Sequence, residues 1–208
     1  MIYDISVSIN EDMMVYKNRE AKKPIFTQSA SFKENSVYET DIKMNLHTGT
    51  HIDFPLHTLE NGKTSQDHAL EPFIGEAKVF DLSHVNDGIT EADLTALDIQ
   101  KNDFVLFKTK NSFEEAFNFE FIYVKLDAAK YLVSKGIRGV GVDALGIERN
   151  QPNHPTHDTL LKNDIVILEG IKLDKVSEGT YHFICLPLKI DNVEALPVRA
   201  VLIDKSNV

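Results

Sequence analysis

Three histidines and an aspartate stand close together in the segment HTGTHIDFPLH, residues 47–57. Imidazole and carboxylate groups together suit zinc, manganese or iron(II). On an extended chain, side chains alternate between two faces, so every second residue shares one face. The candidate ligands all fall on that face: His47, His51, Asp53 and His57. Gly49 leaves the same face bare between two histidines, and the segment therefore predicts a metal site on a strand.

A helix is the poorer interpretation of this segment. Gly49, Pro55 and several β-branched residues all oppose helix formation. Pro55 is also expected to end regular strand pairing. We therefore expect His57 in a loop just beyond the strand, where its side chain can face a substrate.

A second cluster, Asn153-His-Pro-Thr-His-Asp158, is predicted to be a loop, since prolines interrupt it and loops often carry functional residues. Its candidates are His154 and His157. Glu169 follows the apolar run 165–168, where an unpaired carboxylate is costly, so it is either a metal ligand, a salt-bridge partner or a surface residue. The remaining histidines lack such context and are predicted to be structural: His68, His84 and His182.

Composition narrows the class of protein. The chain has 208 residues and 42% hydrophobic content, enough for one core, so residues 1–208 are predicted to form one domain. The net charge of −10 and the lack of a dense basic run argue against a nucleic-acid partner. No apolar stretch is long enough for a membrane span, and no secretory signal opens the chain, so the cytoplasm is the expected compartment. Cys185 has apolar neighbours and is expected to be buried rather than nucleophilic.

Hydrophobic patterning predicts many strands and few helices, which indicates a mixed, β-rich α/β fold. Strands are predicted at 2–9, 37–46 (running into the histidine segment), 77–82, 104–109, 137–142, 164–168, 183–188 and 198–203. A capping box at Thr90–Asp93 opens a helix that runs to about Leu97, and a second helix covers Leu126–Lys135, closed by Gly136. Asp143 ends a strand and is either a site residue or a turn or cap residue.

The histidine segment resembles the HxGTHxDxPxH signature of the cyclase-like metal-dependent hydrolases, a family that includes bacterial kynurenine formamidase and isatin hydrolase. Residues 3–6, 139–148 and 196–203 are similar to further parts of that family. The resemblance implies the swivelling β/β/α fold and assembly into homodimers or homotetramers. It also implies two divalent metal ions per chain, zinc as in kynurenine formamidases or manganese as in isatin hydrolases. The implied metal ligands are His47, His51, Asp53, His157 and Glu169, and His57 takes the place of the general acid/base or of an additional ligand.

The chain departs from the formamidases in the region that contacts their substrate. Residues 13–19 lack the Pro-Gly-Asp turn of that branch, and the chain has no tryptophan. N-formylkynurenine is therefore one candidate substrate among several.

The expected activity is hydrolysis of an amide C–N bond in a small molecule, either an arylformamide or a cyclic amide. A divalent metal activates water and polarises a carbonyl, and His57 can move the proton. No Gly-x-Ser-x-Gly motif indicates a serine hydrolase. Two alternatives are a mononuclear non-haem iron(II) oxygenase, with His51, Asp53 and one distant histidine as a facial triad, and a non-catalytic metal-binding protein.

Overall fold

The computed structural model describes residues 1–204, so the last four residues of the predicted domain, 205–208, lie outside the described residues. The strands are β1 Ile2–Asp4, β2 Ile25–Ala30, β3 Glu39–Lys43, β4 His51–Asp53, β5 Ile74–Asp81, β6 Gly88–Ile89, β7 Phe104–Lys108, β8 Tyr123–Val124, β9 Gly139–Val142, β10 Val166–Glu169, β11 Gly179–Ile184, β12 Ala195–Pro197 and β13 Val201–Asp204. The α-helices are α1 Phe32–Asn35, α2 Glu91–Leu94, α3 Leu126–Lys135 and α4 Pro155–Leu161. Short 3-10 helices lie at Tyr16–Asn18, Glu20–Lys22, Pro55–His57, Ser65–Asp67, Glu71–Phe73 and Lys110–Phe113.

Nine strands of the described chain form one sheet in the order β1-β13-β11-β5-β7-β9-β10-β4-β12. The centre, from β5 through β7 and β9 to β10, is parallel, and the strands on both sides join antiparallel. Parallel strands need crossover connections, and α3 and α4 lie in two of these. The strand β4 lies between β10 and the edge strand β12. It contains the part of the histidine segment that belongs to the sheet, His51–Asp53.

Both faces of the sheet are buried, as the near-continuous apolar sequence of β7 requires. Val105 and Phe107 point to one face and pack with apolar residues of α2, α3 and α4. Phe104 and Leu106 point to the other face. That second face contains residues from β4, β11, β12 and β13, which are distant in the sheet order, so the sheet curls around its own core.

The predicted mixed, β-rich α/β class is confirmed. The helix at Leu126–Lys135 has the predicted bounds and ends at Gly136, whose φ of 67° is the left-handed conformation that glycine adopts readily. The capping box at Thr90 is also present, but α2 ends at Leu94 rather than near Leu97. Cys185 is buried and free, and burial raises the pKa of its thiol, which fits an unreactive core residue.

Several strand predictions are wrong in extent or position. The strand predicted at 37–46 is shortened to β3, which pairs only with β2 in a separate hairpin, and the chain then leaves the strand before reaching the histidines. The strand predicted at 183–188 lies earlier, as β11, because its partners β5 and β13 set its register. The prediction at 2–9 is likewise cut to β1, after which the chain makes only a single bridge at Ser6.

The described residues include no helix long and apolar enough to cross a membrane.

Candidate metal centre

His51 and Asp53 lie on β4, and the alternation of a strand places their side chains on one face. The strand β4 runs antiparallel to β10, and the register sets His51 directly opposite Glu169. Cross-strand neighbours on one face are within contact distance, so three ligand-type side chains meet here. All three are buried, with His51 Nε2 lying 3.4 Å from both Asp53 Oδ1 and Glu169 Oε2.

His47 reaches the same place by a turn rather than by a strand. The prediction of an extended strand that begins at His47 and ends near Pro55 is wrong in its first part, because the chain turns at 47–50 and Gly49 has a φ of 70°. His47 nevertheless lies beside the three side chains on β4 and β10, and its Nδ1 atom is 3.0 Å from Asp53 Oδ1. The buried imidazoles and carboxylates that meet here are called the cluster below. Gly49 contributes a carbonyl oxygen that accepts a hydrogen bond from His51 Nδ1 at 2.9 Å.

The Gly49 carbonyl is held in place by a close approach of two chain segments. A Cβ atom on Gly170, whose φ is also 70°, would lie 2.6 Å from the oxygen of Gly49. The segment after β10 therefore requires glycine here. Thr50 joins the same contact, because its hydroxyl donates to the Gly170 carbonyl at 2.6 Å.

His157 comes to the cluster from a helix. The loop predicted at 153–158 is wrong, because Pro155 begins α4 at the first helical position, where its fixed φ fits and no N–H is needed. His157 Nε2 lies 3.3 Å from Glu169 Oε1 and 3.7 Å from Asp53 Oδ2. The other candidate of that segment, His154, is exposed, and its Nδ1 atom lies 3.4 Å from Glu148 Oε1.

The buried groups set one another's protonation. Burial alone would lower the pKa of His51, but contacts with Asp53 and Glu169 outweigh it and raise the pKa to about 10. Burial alone would raise the pKa of Asp53, yet contacts with His157, His47 and His51 hold it well below its usual range. Burial and the charge of Asp53 likewise oppose ionisation of Glu169, but the two imidazoles lower its pKa to about 2. The carboxylates are thus ionised and offer negative charge to a cation.

The donor set fits a divalent metal ion. Among residues 1–204, the buried atoms without a hydrogen-bond partner include His51 Nε2 and both carboxylate oxygens of Asp53. Such orphaned polar atoms are costly unless something binds them. The hydrogen bond from His51 Nδ1 to Gly49 leaves Nε2 as the free ligand atom, the arrangement typical of metal-bound histidine.

His57 stands beside the cluster, in the 3-10 turn that follows Phe54. The predicted loop position is close to this, and the residue is partly exposed to the adjoining cavity. Its ring centroid lies 4.3 Å from that of His47 and 5.4 Å from that of His157. Burial lowers the pKa of His57, so its imidazole is neutral near pH 7 and can accept a proton.

Two carboxylates of the site were not among the sequence candidates. Glu194 Oε1 lies 3.3 Å from His47 Nε2. Glu148 is buried, and its Oε2 atom accepts hydrogen bonds from the backbone amides of Thr156 and His157 at 2.7 and 3.1 Å. Glu148 thereby caps α4. The sequence does not indicate this role, because it predicts a loop where α4 lies.

Glu148→Ala is expected to lower the free energy of unfolding by about 2 kcal/mol, since two buried amides of α4 lose their acceptor. Glu148→Gln keeps one acceptor oxygen and is the matched control, with a smaller loss. Urea denaturation measures both. Equal stability of the Ala variant and the unchanged protein would contradict the capping role.

Asp143 is a turn residue and lies outside the cluster. Its carboxylate accepts hydrogen bonds from the amide and hydroxyl groups of Thr109 and Ser112 and from the side chain of Asn111. It thus joins the ends of β7 and β9, as the turn interpretation of this residue predicts.

The family model described as "Putative cyclase" matches residues 3–149 of the chain. A kynurenine formamidase from Salinibacter ruber (strain DSM 13855 / M31) is 33% identical over 206 residues, which cover 98% of this chain and 97% of that protein. A solved structure described as a predicted metal-dependent hydrolase from Bacillus stearothermophilus is 52% identical, with a TM-score of 0.90 and coverage of 97% of both chains. The structure of isatin hydrolase A from Labrenzia aggregata is 22% identical, with a TM-score of 0.83 and coverage of 97% of this chain and 93% of that one, a likeness in fold.

Proposed function

This chain belongs to the "Putative cyclase" family and is a metal-dependent hydrolase of amide C–N bonds, and we propose that it acts on an arylformamide such as N-formylkynurenine or on a cyclic amide such as isatin. The names of a relative and of a structural neighbour, kynurenine formamidase and isatin hydrolase, support these two substrate types. The observation that carries the proposal is the buried group of imidazoles and carboxylates, which opens on a cavity of about 550 Å³. That volume suits a substrate of one or two rings.

We propose that the site holds two divalent cations, zinc or manganese. The proposed ligands are His47, His51, Asp53, His157 and Glu169. The support is the position of Asp53, whose two oxygens face different partners: Oδ1 faces His47 and His51, and Oδ2 faces His157. Asp53 also belongs to two groups of three side chains, and within each group the possible ligand atoms lie within 4.8 Å of one another: His51 with Asp53 and Glu169, and His47 with Asp53 and the proposed base His57.

The chemistry follows from the residues around the cluster. A bound divalent cation polarises the amide carbonyl and lowers the pKa of a water molecule toward neutrality. His57 accepts the proton of the attacking water as the C–O bond forms, and it donates that proton to the nitrogen as the C–N bond breaks. The Gly49 carbonyl fixes the orientation of the His51 ring by accepting a hydrogen bond from its Nδ1 atom, and the Glu148 carboxylate lies 3.5 Å from His157 Nδ1.

The iron(II) oxygenase alternative is not favoured. A facial triad needs two histidines and one carboxylate, and it leaves two further imidazoles and Glu169 without a role. A closed structural metal site is also the poorer interpretation, since its ligands would not need a cavity beside them.

Elemental analysis of the fully loaded protein is expected to find about two divalent ions per chain. Glu169→Gln is expected to lower that number, because the variant replaces a buried carboxylate of the cluster with a neutral amide. Glu60→Gln, an exposed position on a turn, is the matched control and should keep the full content. A single tightly held ion that Glu169→Gln does not affect would remove the two-ion proposal.

An assay of the metal-loaded protein on N-formylkynurenine, isatin and formanilide tests the activity. The expected result is metal-dependent release of formate from a formamide or opening of the isatin ring. Turnover that persists after complete metal removal by a chelator would contradict the proposed mechanism.

We further propose that residues 1–208 form one domain and that the chain assembles into homodimers or homotetramers. The first proposal is supported by the sheet, which takes its strands from both ends of the described chain. The second is supported by the hairpin β2–β3 and its connection, which expose several large apolar side chains: Ile25, Phe32, Tyr38 and Ile42.

A further inference from the structure

The cavity beside the cluster has a cationic wall. The segment Tyr16–Lys22, built from two short 3-10 turns, supplies that wall. Tyr16, Lys17 and Lys22 all line the cavity that His57, His47, His51 and His157 also line. The two lysines are half-buried, and their Nζ atoms lie 5.3 and 5.6 Å from the centroid of the Tyr16 ring.

Neither of these lysines has a carboxylate partner within the part of the chain that the structure describes. By contrast, the neighbouring Lys23 pairs with Glu20 at 3.0 Å. Unpaired, partly desolvated ammonium groups are unusual in a chain with a net charge of −10, since acidic partners are plentiful. Burial lowers the pKa of Lys22, with Arg19 acting in the same direction, and the site carboxylates Glu169 and Asp53 act against it. Cations in the cluster would neutralise those carboxylates and leave the ammonium groups without a counter-charge.

The Tyr16 ring holds this wall in a fixed position. It packs edge-on against Phe117 at 5.2 Å and Phe121 at 6.5 Å between ring centroids. Tyr16 is half-buried, and it lines the same cavity as Leu145. The wall therefore offers an apolar surface with two positive charges beside it, in the same cavity that the cluster lines.

We propose that Lys17 and Lys22 bind an anionic group of the substrate, a carboxylate, so that the enzyme selects amides that carry a negative charge and an aromatic ring. The anion site rests on the proposed amide hydrolysis, and it adds the charge that the substrate carries. Ammonium groups form charge-assisted hydrogen bonds with carboxylates, and partial burial strengthens them. Tyr16 and Leu145 contact the ring, while the amide carbonyl lies toward the cluster.

Two formamides that differ only in charge test this. N-formylanthranilate carries a carboxylate beside its formamide, and N-formylanthranilamide carries a neutral carboxamide there. The ratio of their kcat/KM values is expected to favour the anionic compound by about 10-fold or more. Lys17→Gln and Lys22→Gln should each lower this ratio by about 10-fold, chiefly through KM. Lys23→Gln removes the same charge from the residue that follows this segment, which does not line the cavity, and should leave the ratio unchanged.

A ratio near one in the unchanged protein, or an equal effect of the lysine substitutions on both compounds, would overturn the proposal. Binding of anthranilate, measured by calorimetry, separates this inference from the proposed function. If no amide is hydrolysed but Lys22→Gln still weakens anthranilate binding relative to Lys23→Gln, the activity is wrong and the anion site stands. If amides are hydrolysed and anthranilate binds the lysine variants and the unchanged protein equally, the anion site is wrong and the activity stands.

Discussion

Asp53→Asn is expected to abolish hydrolysis, with kcat lowered by more than about 10³-fold. The substitution keeps the shape of the side chain but removes the carboxylate charge that faces His47, His51 and His157. We expect the variant to lose at least one metal ion per chain and to remain folded, since β4 keeps both of its neighbouring strands.

Metal content, circular dichroism and turnover measured on one preparation check this expectation. Asp143→Asn is the matched control for loss of a buried carboxylate, because Asp143 binds only turn residues outside the cluster. It should lower stability and keep the metal. Full metal content with near-normal turnover in Asp53→Asn would show that the site is assigned wrongly.

His57→Asn is expected to lower turnover by about 10²-fold while most of the metal stays bound, as removal of a general acid/base does. His57 lines the cavity, and its ring centroid lies 4.3 Å from that of His47. A general base acts in its neutral form, so activity should fall as the pH drops through the pKa of His57. Burial places that pKa below its ordinary value of 6.5, so the acid limb is expected below that pH.

The pH profile and the metal content distinguish the possible roles of His57. His84→Asn, at an exposed position outside the site, is the matched control and should have no effect on either. Unchanged turnover in His57→Asn would assign proton transfer to another group. A folded but metal-free variant would instead make His57 a ligand.

The spacing of the histidine segment was sufficient to predict which of its residues meet, but not how they meet. His51 and Asp53 lie together because strand alternation is a local property. His47 reaches them through a turn whose shape depends on Gly170, more than a hundred residues away, and no local pattern indicates that contact. Glu169 was found because an acid after an apolar run requires a partner.

The residues that sequence reasoning missed are held by tertiary contacts alone. Glu148 matters because it caps α4, and α4 was hidden by the two prolines and the polar residues around it. Tyr16 lies within residues 13–19, which the family resemblance pointed to, but Lys22 lies beyond them in a stretch without periodicity, and no local pattern places its side chain at the cavity. Mixed α/β class and the helix over Leu126–Lys135 were predictable because propensity, capping and hydrophobic period agree there.

The position of β4 between β10 and β12 decides when, during synthesis, the site can exist. The strand carrying His51 is made early, but its two neighbours are completed only when residues 166–169 and 195–197 have been made. Such long-range pairing is slow to form, and a nascent chain lacks it. The histidines of residues 47–57 are therefore translated well before β4 can pair with β10 and β12. We expect metal binding to be among the last events of folding. Shortening the chain before Ala195 would leave a product that contains every proposed ligand but lacks β12, the strand that pairs with the outer edge of β4.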